Sequence, residues 1–148
     1  MPHTLWNEDD RRALDARLAK MRPDTSGRWG GLDAPRMVCH ITDAVRWATG
    51  NVICKPKASL LRYPPLNSLV MFYLPWPKSA PTAPELIARE PETWDIEVAR
   101  FRSAVDELTG RPRNGAWPVH VAFGKLSGTQ WGRFLYRHTD YHFKQFGV

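Results

Sequence analysis

The stretch "SGTQWGRFLYRHTDYHFKQFG", Ser127 to Gly147, reads as one long amphipathic helix, and the rest of the fold can be worked outward from it. Ser127 with Gln130 is the sequence signature of a capping box, in which each side chain meets the other's backbone N–H. Gly147 supplies a stop. Trp131, Leu135, His138, His142 and Gln145 recur at steps of three and four, so they share one face. At 3.6 residues per turn, His138 and His142 stand about 40° apart and one turn on. Two imidazoles so spaced can grip one ion. The same spacing also suits plain ring packing in an apolar face, and spacing alone leaves both readings open.

Three more helices are expected. The first runs from Glu8 to Met21, with Asn7 as N-cap, acidic residues in its first turn and Pro23 beyond its end. Leu14, Leu18 and Met21 form its apolar face. The second lies within "DAPRMVCHITDAVRWATG", capped by Asp33, with Pro35 in its first turn and Gly50 as its stop. The third spans Asp95 to Thr109, with the stripe Trp94, Val98, Phe101, Val105, Leu108. None of these segments reads as a strand. Between the second and third lies a long proline-broken crossover in which Leu66 to Leu74 can form one short helix. The expected fold is therefore all-α: a four-helix bundle over residues 1–148, one domain, with one long crossover connection between helices 2 and 3.

His40 shares the inward face of the second helix with Met37, Ala44 and Trp47. If the second and last helices are neighbours, His40 meets His138 and His142 inside the bundle. Three neutral imidazoles suit a divalent transition metal, zinc or nickel, and leave one position open. The pattern is not that of a zinc peptidase, since Thr139 stands where HExxH carries its glutamate.

The totals exclude several classes. There are 21 basic and 15 acidic residues, a net charge of +6, but the two signs are interleaved. No basic run or aromatic RNA-binding signature marks a nucleic-acid surface. Two cysteines, Cys39 and Cys54, do not make a disulfide scaffold. The opening residues lack the apolar stretch of a signal peptide, and the longest apolar run, Leu69 to Leu74, is too short to cross a bilayer. A cytoplasmic setting with no membrane partner is expected.

The segments "RWGGLDAPRMVCHITDAVRWA", "LPWPKSAPTAPEL" and "HVAFGKLSGTQWGRFLYRHTDYHFKQFG" together resemble an uncharacterised bacterial family within the DinB/YfiT-like superfamily. The resemblance covers nearly all the chain from Met21 onward. It rests on a Trp-Gly before the second helix, Met-x-x-His within it, and Trp-to-His-x-x-x-His-x-x-Gln-Phe-Gly in the last. It implies a DinB-like four-helix bundle, a divalent metal held by His40, His138 and His142, and a homodimer. It also implies the thiol-dependent, metal-assisted chemistry of several superfamily members. One departure is Val121, where the family tends to carry proline after the histidine at position 120.

A metal held by three neutral ligands keeps most of its charge, which acidifies a bound water or holds a thiol as thiolate. The first expectation is a transferase or isomerase that uses a low-molecular-weight thiol on a small electrophilic substrate. The alternatives are a metal-dependent hydrolase and a non-enzymatic metal- or ligand-binding module. Candidate catalytic groups are Asp43, one turn beyond His40 and placed to orient it, and His120, as an acid–base group at the pocket mouth or as the cap of a turn. Tyr141 and Gln145 are candidate substrate or cofactor contacts. Cys39 points about 100° away from His40 and is expected to be a small buried residue. Asp140 lies nearly opposite His138 and is expected to face solvent.

Overall fold

A computed structural model describes residues 1–148, with the element order α1 (Glu8–Leu18), α2 (Ala34–Ala48), α3 (Leu66–Phe72), α4 (Trp94–Thr109), β1 (Val119–His120), β2 (Gly124–Lys125) and α5 (Gly128–Gln145). Single 3-10 turns at Leu60–Arg62 and Pro84–Leu86 interrupt the crossover. The chain is mostly helical. No helix is long and apolar enough to cross a membrane.

The helix ends form where side chains satisfy the free backbone donors. Asn7 accepts from the N–H groups of Asp9 and Asp10, and Asp33 accepts from that of Arg36. In α5 both halves of the capping box are made, Ser127 with Gln130 N–H and Gln130 with Ser127 N–H. These are the ends expected from the sequence, apart from α1, which stops at Leu18 and reaches Met21 through tight turns. Thr93, before α4, makes no side-chain cap.

One core takes side chains from every long helix: Leu14 and Leu18 of α1, Met37, Ile41 and Trp47 of α2, Phe101 and Leu108 of α4, and Trp131, Leu135 and Phe143 of α5. Each such side chain, fully buried, stabilises the fold by about 1.5–3 kcal/mol relative to exposure. α2 packs against α4 and α5, and α5 also takes α1 and α3. Asp140 does not face open solvent. It is less than one-fifth exposed and bridges Arg17 of α1 at 2.7 Å and Lys144 at 2.7 Å, tying α1 to α5.

Two features depart from the all-helical expectation. The first is the antiparallel hairpin β1–β2, with Val119 opposite Lys125 and His120 opposite Gly124. Its three-residue loop closes because Gly124 takes φ +75°, which a side chain rarely allows, and because the His120 ring accepts the N–H groups of Ala122 and Phe123. The second is Glu97, completely buried on the face of α4 that also carries Phe101 and Val105. Its carboxylate takes Arg89 Nη1 and Nη2 at 2.9 and 3.0 Å, Arg100 Nη1 at 3.0 Å and the Glu92 N–H at 2.9 Å. Arg89 also reaches Asp43 of α2 at 3.2 Å. This chain of charge fixes the end of the crossover between α2 and α4.

Candidate metal centre

α2 presents His40, and α5 presents His138 and His142, into the seam where the two helices meet. The ring centroids form a nearly equilateral triangle, 4.9 Å from His40 to His138, 4.9 Å from His40 to His142 and 4.7 Å from His138 to His142. The rings stand nearly perpendicular to one another, with interplanar angles of 73°, 80° and 86°. One nitrogen from each lies within 4.8 Å of the others, and no fourth imidazole, thiol or carboxylate joins the group.

Two of the three tautomers follow from their partners. His40 Nδ1 lies 3.0 Å from the Leu86 carbonyl, which can only accept, so Nδ1 carries the proton and Nε2 a lone pair. The His142 tautomer is set by Gln145. The Gln145 Nε2 donates to the Trp29 carbonyl at 2.7 Å, leaving Oε1 to accept from His142 Nδ1 at 2.8 Å. His142 Nε2 is therefore also a free donor atom. His138 differs: its Nε2 lies 3.1 Å from His40 Nε2, and its buried Nδ1 has no partner.

That 3.1 Å contact bears on whether the residues fit a metal. Bond lengths of 2.0–2.1 Å in a tetrahedral zinc site put two coordinating nitrogens about 3.3 Å apart, close to what is seen. A lone pair on His40 Nε2 faces its neighbour across this gap, so either a proton or a cation must lie between them. Burial keeps the rings neutral, as ligation requires: desolvation pushes the pKa of His40 down, that of His138 well down with further repulsion from His142 and His40, and that of His142 down to about 4. The donor set therefore fits a divalent ion of intermediate softness. These three histidines are positioned to hold one.

The other candidate residues divide differently. Gln145 does not face an open pocket; both ends of its amide are used, and it acts by orienting His142. Gly30, at φ +81°, makes room for it, since a Cβ there would lie 2.5 Å from Gln145 Nε2. Asp43 does not touch His40. Its carboxylate takes Arg89 and Arg46, while the Leu86 carbonyl holds the imidazole. Asp43 thus acts on His40 through its charge, which favours the protonated ring against desolvation, and through Arg89 and the segment carrying Leu86.

His120 is buried, not at a pocket mouth. Its Nδ1 caps the hairpin loop, four aromatic rings surround it, and desolvation pushes its pKa down to about 3. Its Nε2 has no partner. Tyr141 does stand beside the cluster, 5.2 Å from the His142 ring, with its hydroxyl donating to the Pro77 carbonyl. Cys39 is buried with its thiol 3.4 Å from the Arg89 carbonyl, and desolvation raises its pKa to about 11, so it is no nucleophile at neutral pH.

Sequence reading missed Leu86, Arg89, Glu97, Trp76 and Phe134. The carbonyl of Leu86 carries no side-chain signal at all. Arg89 and Glu97 are eight residues apart, and only the closing of the crossover onto α4 brings them together. Two sizeable grooves, of about 740 Å³ beside Ser59, Arg62 and Lys125 and about 380 Å³ between α1 and α4, both lie away from the histidines.

Comparison with protein-family models, with curated proteins and with solved structures finds no match to this chain.

Proposed function

We propose that the chain is a DinB-like bundle in which His40, His138 and His142 hold a divalent transition metal, zinc or nickel, for catalysis on a small electrophilic substrate. One observation carries this reading: three neutral imidazoles, His40 and His142 buried and His138 half-buried, converge on one point with no fourth protein donor. A structural site ordinarily completes its coordination with protein ligands, whereas a catalytic one keeps a position for an outside molecule. When bound, such a metal would supply Lewis-acid activation of a thiol or water donor in that position.

The residues of the chain have separate roles in this reaction. The Leu86 carbonyl and Gln145 hold protons on the outer nitrogens of His40 and His142, so that the inner lone pairs stay available. Phe134 stacks on His138 at 5.8 Å and shields it from water. No thiol of the chain lies in the cluster, so a thiol nucleophile would arrive with a low-molecular-weight cofactor, which gives transferase or isomerase chemistry. The superfamily resemblance supports that choice over hydrolysis, and it is also the ground for proposing a homodimer.

The test is elemental analysis of untagged protein beside His142→Ala. About one equivalent of zinc or nickel in the wild type and under one-tenth in the variant are expected, because losing one of three ligands removes most of the affinity. Equal metal in both would sink the site. Metal-loaded protein is then given aryl halides and epoxides with and without small thiols. Turnover only with a thiol supports the transferase; ester cleavage without one replaces it by the hydrolase. Sedimentation at micromolar concentration checks the dimer, and a single 17.0 kDa species would remove it.

A further inference from the structure

We infer that the molecule occupying the open position carries a planar, conjugated group that rests against Trp76. This deepens the metal-site reading and depends on it.

Of the three histidines only His138 is not fully buried, so an outside molecule reaches the cluster along that ring. Its surroundings are hydrocarbon. Phe134 lies parallel to it, 12° between planes, and Trp76 stands 6.3 Å from it. Trp76 also packs on Phe134 at 5.7 Å and on Tyr141 at 5.9 Å.

The polar atoms of this wall are already used. Trp76 Nε1 donates to the Val70 carbonyl at 3.0 Å, turning the indole N–H away from the cluster. The Tyr141 hydroxyl donates to Pro77 and receives the Trp29 indole N–H at 3.4 Å. Arg137 lies over the Trp76 ring at 4.8 Å, donates to the carbonyls of Met71 and Leu74, and keeps its charge. The neutral polar atoms of Trp76 and Tyr141 are thus taken, and a sugar hydroxyl buried against them would go unpaired, which is costly. Flat apolar rings, by contrast, gain from edge or offset contact with aromatic side chains. The wall therefore favours aryl or conjugated electrophiles over ones that bring only hydroxyl groups.

The seat of Trp76 is a strap. Residues 73–77, which follow α3, include two prolines, Pro75 and Pro77, and are tied to α5 by Arg137 at Leu74 and by Tyr141 at Pro77, one turn apart. The indole is thus held at a defined place beside His138.

Cobalt-substituted protein tests this through ligand binding, without any turnover. Imidazole and 4-phenylimidazole are titrated against the visible bands of the bound cobalt. The phenyl compound should bind about tenfold more tightly or better to the wild type, since an added aromatic contact and its burial together exceed about 1.4 kcal/mol. In Trp76→Ala that ratio should fall to about threefold or less, while Trp76→Phe, which keeps a flat ring, should retain most of it. Equal affinities in the wild type, or an undiminished ratio in Trp76→Ala, overturn the inference while leaving the metal site standing. If the wild type takes up no cobalt, the site itself fails and the inference with it.

Discussion

Behind His40 the protein is held by charge. Arg89 links Asp43 of α2 to Glu97 of α4, and the segment so fixed turns the Leu86 carbonyl onto the imidazole. Around His138, 4.9 Å from His40 between ring centroids, the neighbours are aromatic rings; Phe134 stacks on it, Trp76 stands tilted 6.3 Å away, and its Nδ1 has no partner. The first flank fixes a donor atom in direction as well as place. The second fixes the plane of a ring and leaves its polar atom uncommitted. A site that must keep two ligands steady while a third adjusts to an incoming molecule is served by this asymmetry.

Acid should break the comparison most strongly, because the two flanks fail in different windows. In metal-free protein the pKa of His142 is pushed down to about 4 and that of His120 to about 3 by burial. As pH falls below the ordinary histidine value near 6.5, the unfolded chain takes up protons that the folded chain refuses, so stability is lost down to the folded values. Each such histidine costs about 1.4 kcal/mol per pH unit across its window, several kcal/mol in all by pH 4. Glu97, whose pKa is lowered by Arg89 and the Glu92 N–H despite its burial, contributes stability that is present above the ordinary carboxylate value and fails only below it. Urea melts at pH 7, 6 and 5 should show a steady fall. A flat profile to pH 5 would mean that the histidines titrate as if exposed.

At neutral pH the ionic flank is the costlier one to damage. Glu97→Leu removes the acceptor of four hydrogen bonds and leaves Arg89 facing a buried apolar face. Breaking such a pair from one side costs about 3–5 kcal/mol, and the lower end applies because Arg89 keeps about a quarter of its side chain in solvent. A drop in melting stability of under about 1 kcal/mol would show that Arg89 simply swings out to water.

Glu97 also shows where sequence reading stops. The helix faces, Asn7, Asp33, the Ser127–Gln130 box and the inward stripe through His138 and His142 were all legible, because caps and periodicity are local and depend on residues a few positions apart. His40 was legible for the same reason, although its approach to α5 was only an expectation. Its actual partner, a main-chain carbonyl 46 positions away, leaves no mark on the sequence. Gln145 stands where helical spacing puts it, in line with His142, but it orients that imidazole and does not meet a substrate. Only the Trp29 carbonyl, brought in by the loop before α2, turns its amide inward. The β1–β2 hairpin was missed because two-residue strands have no periodicity to read.

Gln145→Leu sharpens the distinction between directed and undirected ligands. It removes the acceptor on His142 Nδ1 while keeping much of the side-chain volume, so the imidazole can turn. Zinc affinity, read by chelator competition, should weaken about 10–100-fold, the usual cost of losing such an outer partner. Met37→Leu, a core change on the same face as His40, should leave the affinity within about threefold, since swaps that conserve volume perturb packing little. An unweakened Gln145→Leu would mean that ring packing alone orients His142, and the two flanks would then differ less than their hydrogen bonds suggest.

The smallest global effect is expected where the aromatic flank is tied down. Arg137→Met keeps the stem beside Trp76 but deletes both carbonyl bonds, to Met71 at the end of α3 and to Leu74 in the strap. The strap can lift without unfolding the helices beneath it, so the freed segment opens locally rather than lowering the whole fold. Melting stability should change by less than about 1 kcal/mol, while amide exchange at residues 72–78 should speed up about tenfold, the mark of a local opening made easier. A large loss of stability with exchange raised everywhere would instead make the strap part of the cooperative core. Trp76 would then be a fixed wall, and only ligands already fitting the gap beside His138 could enter.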